Sequence, residues 1–320
     1  MTAQQPSALS LERIAAAATT IDPVFRNSPQ FLLEGLSARL GVRLVCKVEV
    51  ANPIRSFKGR GTDFFVQQLG DDRTPLVCAS AGNFGQGLAY AARKRGIPLH
   101  VFAAETANPL KVARMRGFGA AVHLRGADFD AAKEHASDFA AQQGYRLVVD
   151  GGEPAVAEGA GTMAVELATW PEPFDAVFVP VGNGALINGI GRWLKHVSPQ
   201  TRVIGVGATG SPAMERSWRS GEPVTTPTVD TIADGVATRV PVQLGLDEML
   251  RTTDDMILVD DEAIRAALPL LFAETGLVLE PSGAIGLAAI MARREQLQGQ
   301  LVATILCGGN ALDEHIRWQI

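Results

Sequence analysis

From Pro75 onward, short apolar runs rich in β-branched residues alternate with helix-length stretches whose apolar positions recur every three to four residues. Such alternation predicts a parallel sheet covered by helices. Strands are expected at Leu76–Ala79, Leu99–Ala103, Ala121–Leu124 and Leu147–Val149, with helices at Gly85–Arg95, Pro109–Gly117 and Asp128–Gln143 between them. The second of these helices carries Pro in its first turn and Gly near its end, a start and a stop in the right places. A second set follows Gly151-Gly152: helix Glu158–Thr169, strand Ala176–Pro180, helix Ala185–Val197, strand Val203–Gly207, helix Pro212–Ser220, helices Asp261–Thr275 and Ser282–Arg293, strand Val302–Cys307, and a terminal helix from Leu312. Residues 221–258 have few periodic cues and read as irregular. Before Pro75 the pattern yields one helix, Leu11–Thr19 with Ser10 as its N-cap, and one strand, Arg43–Val48.

The class is therefore α/β, with residues 74–149 as a small lobe and residues 1–73 together with 150–320 as a large one. Ligands in open α/β sheets bind beyond the carboxyl ends of the strands, so the cleft between the lobes is the expected site. A length of 320 residues agrees with two lobes better than with one small core. Hydrophobic residues at 47% against 20% charged supply a large interior and exclude a disordered chain. Lys plus Arg number 29 and Asp plus Glu 34, a formal charge of −5, so no basic field draws nucleic acid or anionic lipid; small molecules are the expected partners.

Thr74 to Ala92 lacks Asp, Glu, Lys and Arg, but Ser80, Asn83, Gln86 and three glycines make it a poor membrane span. Gln4, Gln5, Pro6 and Ser7, followed by Glu12 and Arg13, do not form a signal peptide, and a cytoplasmic location is expected. Cys46, Cys78 and Cys307 are odd in number and far apart, which suits neither a disulfide framework nor a zinc site.

Three glycine-rich turns stand where a strand gives way to a helix. Val181-Gly182-Asn183-Gly184-Ala185-Leu186 lets backbone N–H groups converge on an anion at the positive end of a helix; the alternative is a tight turn that binds nothing. It lacks the Gly-Lys-Ser/Thr of a Walker loop, and Ile187 stands where a dinucleotide fingerprint needs its third glycine. Ser80-Ala81-Gly82-Asn83-Phe84-Gly85-Gln86-Gly87 suits a carboxylate, or simple capping by Ser80 or Asn83. Cys307-Gly308-Gly309-Asn310 ends the last strand. Asn52 to Gly61 crowds Arg55, Lys58 and Arg60 beside Ser56 and Phe57; a solvated basic loop is the simpler reading, a desolvated nucleophilic Lys58 walled by Phe57 the sharper one.

In this order, the four segments resemble the second fold type of pyridoxal-phosphate enzymes, the tryptophan synthase β-like group, and within it the serine/threonine dehydratases. Thr231-Ile232-Ala233-Asp234-Gly235 and Glu280-Pro281-Ser282-Gly283-Ala284 are similar to two further dehydratase segments. The resemblance implies two open, twisted, mostly parallel sheets covered by helices, with pyridoxal 5'-phosphate between the lobes. Lys58 would bind the cofactor covalently and then act as general base, with Phe57 against the ring and Asn83 on its phenolic oxygen. Gly182, Asn183, Gly184, Ala185 and Leu186 would cradle the phosphate, Gly235 would line the cofactor, and Cys307 would face the pyridine nitrogen. Ser80, Ala81, Gly82, Asn83 and Phe84 would hold the substrate.

The implied activity is an ammonia-lyase of amino-acid metabolism, removing the β-hydroxyl of serine, threonine or a close analogue to give a 2-oxo acid and ammonia, in a homodimer. β-Replacement is the alternative. Racemisation is disfavoured, because Ala81 stands where racemases of the group carry a second serine. Phe84 replaces the usual histidine, and Gly207 an acidic residue of the metal segment, so no metal is expected. Arg55 is read as a surface arginine, with capture of an acidic β-group as the alternative.

Overall fold

The computed structural model describes residues 6–320; Gln4 and Gln5, used in reading the N-terminus, lie outside them. The chain opens with α1 (Leu11–Thr20), β1 (Gln30–Leu32), α2 (Glu34–Leu40), β2 (Arg43–Val48) and α3 (Lys58–Gln68). Next come β3 (Leu76–Ala79), α4 (Asn83–Lys94), β4 (Leu99–Ala103), α5 (Pro109–Gly117), β5 (Ala121–Leu124), α6 (Phe129–Gln143) and β6 (Arg146–Leu147). The remainder runs α7 (Pro154–Leu167), β7 (Ala176–Pro180), α8 (Ala185–Val197), β8 (Arg202–Ala208), α9 (Ala213–Ser220), α10 (Gln243–Thr252), β9 (Asp255–Val259), α11 (Asp261–Thr275), α12 (Pro281–Ala292), β10 (Leu301–Leu306) and α13 (Asp313–Arg317).

Two sheets result. The larger has the order β1-β2-β10-β7-β8-β9 and the smaller β5-β4-β3-β6. Among the described residues β1 pairs antiparallel with β2, and the other strand pairings are parallel. Helices cover both faces of the large sheet, which is why its central strand β10 reads Leu-Val-Ala-Thr-Ile-Leu without alternation: all six residues are buried. α12 is apolar around its whole circumference for the same reason, lying in the core beneath β7 and β10.

Three expectations change. Residues 221–242 are irregular as expected apart from a 3-10 turn at Asp234–Val236, but α10 and most of the edge strand β9 fall in the rest of the stretch; β9 is short and the charged residues around it mask its period. The N-terminal segment carries β1 and α2 as well as the expected helix and strand. The basic stretch is not a solvated loop. Lys58 begins α3, and Arg60 on that helix is 0% exposed.

α3 lies close against α7, where Gly61 and Gly159 let the backbones meet; a Cβ on Gly61 would stand 2.3 Å from the Val156 carbonyl oxygen. Into this contact the Arg60 guanidinium is sealed. Its Nε donates to Glu49 Oε2 at 2.8 Å, Nη1 to Glu166 Oε1 at 2.7 Å and Thr162 Oγ1 at 3.0 Å, and Nη2 to Glu49 Oε1 at 2.9 Å and Ser28 Oγ at 3.0 Å. Lys47 on β2, also buried, donates to Glu166 and to the Ser28 carbonyl, so two cations face two carboxylates. Burial alone would push the Arg60 proton off, but Glu49 and Glu166 more than reverse this and hold the guanidinium charged.

Arg60→Met should therefore destabilise the protein by about 3–5 kcal/mol, because it leaves the buried Glu49 and the half-buried Glu166 facing one lysine. Urea unfolding monitored by circular dichroism measures this; a loss below 1 kcal/mol would remove the network from its structural role.

Candidate active site

The cleft is built from segments that leave the carboxyl ends of five strands. β2 is followed by the stretch to Lys58, whose entry is fixed by a bridge between Ser56 and Gly308 and by Phe57 N donating to the Cys307 carbonyl at 3.1 Å. Lys58 Nζ stands 5.0 Å from the centroid of the Phe57 ring and 5.6 Å from that of Phe84. Both oxygens of Asp150 lie against it, at 2.6 and 2.8 Å, and the side chains of this pair are 14% and 21% exposed. Two aromatic faces and one carboxylate thus surround the amine.

β3 leads into the Ser80 turn and α4. Ser80 Oγ accepts from Gly82 N at 3.2 Å and Gly85 N at 2.9 Å, so its hydroxyl organises the turn itself. Ala81, Gly82 and Asn83 are half-buried at the start of α4, whose first N–H groups have no intrahelical acceptor; Phe84 is buried. Asn83 Nδ2 donates to Glu280 Oε1 at 2.7 Å, and its Oδ1 accepts from Asn310 Nδ2 at 2.6 Å. Asn310 also receives Arg114 of α5. Glu280 Oε2 is buried with no hydrogen-bond partner. Burial, and secondarily the charge of Asp234, push the Glu280 carboxyl up to about 7, although Lys111 pulls the other way. Lys111 is itself buried and pairs with Asp234 across the cleft.

β7 leads into Gly182-Asn183-Gly184 and α8. A Cβ on Gly182 would stand 2.9 Å from the Gly235 carbonyl oxygen, and Gly184 adopts φ +92°, so neither position tolerates a side chain. Ala185 and Leu186 are buried in the first turn of α8, and Asn183 Oδ1 accepts from Thr238 Oγ1 at 3.5 Å. Gly235 donates its N–H to Ser282 Oγ at 2.9 Å. At the end of β10, the Cys307 thiol donates to the Ser282 carbonyl at 3.3 Å, and burial pushes it well above the ordinary thiol range, so it is neutral.

The residues singled out by sequence thus fall into two groups, gathered by direct contacts around Lys58 and around the Gly182 turn. Asp150 was not among them, although a charged residue where a small-sheet strand ends, beside Gly151-Gly152, was a legible signal. Asn310, Glu280, Lys111 and Asp234 complete the wall that sequence reasoning did not assemble. Arg55 is exposed, with φ 51°, and its carbonyl accepts from Gly309 N at 2.9 Å. Among the described residues no cluster of three or more His, Cys, Asp or Glu could hold a metal ion. None of the described helices is long and apolar enough to cross a membrane.

This donor set fits pyridoxal 5'-phosphate. A glycine cradle without room for Cβ atoms opens the 13-residue helix α8, a lysine lies between aromatic rings, and a neutral thiol closes the far wall. Lys58 would hold the aldehyde and residues 182–186 the phosphate.

Comparison with known proteins agrees. The chain is 36% identical over 299 residues to the biosynthetic L-threonine dehydratase of Salmonella typhimurium, covering 91% of this chain and 57% of that protein. It is 33% identical over 304 residues to L-threonine ammonia-lyase of Thermotoga maritima, covering 94% of this chain and 76% of that one. The chain spans little more than half the length of the biosynthetic enzymes of Salmonella typhimurium, Escherichia coli and Pasteurella multocida. The processed form of threonine deaminase isoform 2 from Solanum lycopersicum superposes with a TM-score of 0.89 at 30% identity, over 99% of this chain and 90% of that one. Residues 21–308 match the family described as pyridoxal-phosphate dependent enzyme, and the chain belongs to that family.

Proposed function

We propose that the protein removes the β-hydroxyl of a small hydroxy amino acid, serine or threonine or a close analogue, to release a 2-oxo acid and ammonia. The observation that carries this reading is the Lys58 amine held between Phe57 and Phe84 in a cleft whose far wall is a neutral thiol. The cofactor, when bound, supplies the electron sink that lets a Cα–H bond ionise. Lys58 accepts that proton at Nζ. The first N–H groups of α4 bind the substrate carboxylate, and Ser80 keeps the turn in shape by accepting from Gly82 and Gly85. Cys307 cannot place a negative charge on the wall, because its proton is retained and spent on the Ser282 carbonyl. A weak electron sink follows, under which loss of the β-substituent outruns return of the proton. The dehydratase, ammonia-lyase and deaminase names of the similar proteins favour elimination over replacement by an added nucleophile.

The test is release of oxo acid and ammonia from L- and D-serine, L-threonine, threo- and erythro-hydroxyaspartate and phenylserine. Turnover without a second substrate is expected for at least one of them; turnover only when a thiol or other nucleophile is added would make the protein a β-replacement enzyme. Lys58→Ala should lose the visible absorbance of attached cofactor together with turnover, and a Lys58→Ala protein that still fixes cofactor under borohydride would refute the lysine.

Glu280 gives a pH dependence that needs no substrate. Its carboxyl is held protonated up to about pH 7 in the folded chain, against 4.5 when exposed. Between these values the unfolded chain binds fewer protons than the folded one, so the stability contributed by neutral Glu280 is complete below about pH 4.5 and lost as pH rises through 7. Urea midpoints of the cofactor-free protein should fall across that interval relative to Glu280→Gln. Parallel profiles for the two proteins would exclude Glu280 as the titrating group.

A further inference from the structure

Among the described residues, the Lys58 amine has no polar side-chain partner other than Asp150, and the Asp150 carboxylate none other than Lys58. Asp150 is held there by its neighbour: Gly151 has φ +84°, and a Cβ on it would stand 2.6 Å from the Asn183 carbonyl oxygen, so the backbone is clamped against the Gly182 turn. Asp150 also lines a cavity of about 60 Å³ together with Ala79, Val149, Asn183, Ala237 and Thr238. At roughly 10–15 Å³ for each water-sized group, this accommodates a small hydroxyalkyl side chain. The carboxylate therefore touches the amine and also borders a small cavity.

We propose that Asp150 is a catalytic residue, the acid that protonates the departing β-hydroxyl with the proton Lys58 has taken from Cα. The proposal rests on the elimination reading above. The Cα–H bond breaks, its electron pair becomes the second bond between Cα and Cβ, and its proton passes to Lys58 Nζ. Asp150 accepts a proton from that ammonium and becomes a neutral carboxylic acid. It delivers the proton to the hydroxyl oxygen as the Cβ–O bond breaks with its pair on oxygen, and water leaves. Lys58 ends as a free amine and Asp150 as a carboxylate, with nothing oxidised or reduced.

The test compares the holoenzyme with its Asp150→Asn variant on two substrates, the hydroxy amino acid it turns over and β-chloroalanine, whose chloride departs without a proton. General acid catalysis is typically worth about 10²–10⁴-fold, so Asp150→Asn should lose a factor in that range in kcat on the hydroxyl substrate and less than tenfold on β-chloroalanine. Its cofactor absorbance and borohydride fixation to Lys58 should match the unsubstituted protein. Equal losses on both substrates, no loss on either, or failure to attach cofactor would each overturn the assignment. Asp150→Ser is read by the same ratio should the Asn variant fail to fold. Inactivity of the unsubstituted protein on both substrates would instead remove the elimination reading, and this assignment with it.

Discussion

One guanidinium holds the site together. Arg60 lies two residues after Lys58 on the same helix, and its donors reach β2-adjacent Glu49, Ser28, and Thr162 and Glu166 of α7. A charge taken fully out of water is tolerated only when its hydrogen bonds are satisfied and its counter-charges are close. Those conditions specify the rotation and height of α3 to within a hydrogen bond. Because Lys58 starts that helix, they also specify where the amine emerges. Apolar packing alone would be less exacting, since cores of similar volume can be filled in several ways. The buried network thus acts as a register device, with the Gly61 to Gly159 contact supplying the close approach that lets Arg60 reach α7.

Contacts across the cleft are of a different kind. On the side where α3 packs on α4, an apolar cluster runs unbroken from Phe25, Phe64 and Phe65 to Leu88, Val101 and Met115, joining the small sheet to the rest of the chain. At the opposite rim the connections are polar: Lys111 with Asp234, Arg239 with Asp130, and the chain of Arg114, Asn310, Asn83 and Glu280. Partly exposed ion pairs contribute only about 0–1 kcal/mol each, whereas burying one large apolar side chain contributes about 1.5–3 kcal/mol. The small sheet is therefore anchored along one edge and lightly tied along the other. Asn83 sits on the light side, hydrogen-bonded to Glu280 and to Asn310.

Most of the sheet architecture was legible because strands and helices in this chain keep separate periods. β3, β4, β5 and β7 match their expected bounds, as apolar runs closed by glycine or proline give unambiguous ends. The misses have physical causes. β9 is an edge strand of five residues whose Asp255 pairs outward, and α2 is a single short turn-rich helix without a side-chain cap, so neither carries enough pattern to stand out. The stretch from Arg55 to Arg60 misleads for another reason: charge normally reports exposure, and here Arg60 is buried by partners that lie up to 106 residues away. Glu280 escaped as a site residue in the same way. Its surroundings are made by distant segments, among them Asn83 at a remove of 197 residues, which no local window contains.

Topology then explains why so many separate segments reach one cleft. Lys58 follows β2, Ser80 and Asn83 follow β3, Asp150 follows β6, Gly182 follows β7, and Cys307 follows β10. In a parallel sheet every such exit lies at the carboxyl edge, where helix N-termini begin and backbone N–H groups are unpaired. Two sheets whose carboxyl edges face each other bring nine such exits toward a common space, every strand but the antiparallel β1, without a special motif at any one of them. The contacts between Lys58 and Asp150, and between Asn83 and Glu280, establish that the edges do face. Specific chemistry needs little beyond this: a lysine opening a helix that a buried arginine positions, a turn too tight for side chains, and a thiol kept neutral by burial. Each is a consequence of packing at the strand ends, so the site is as stable as the sheets that deliver it.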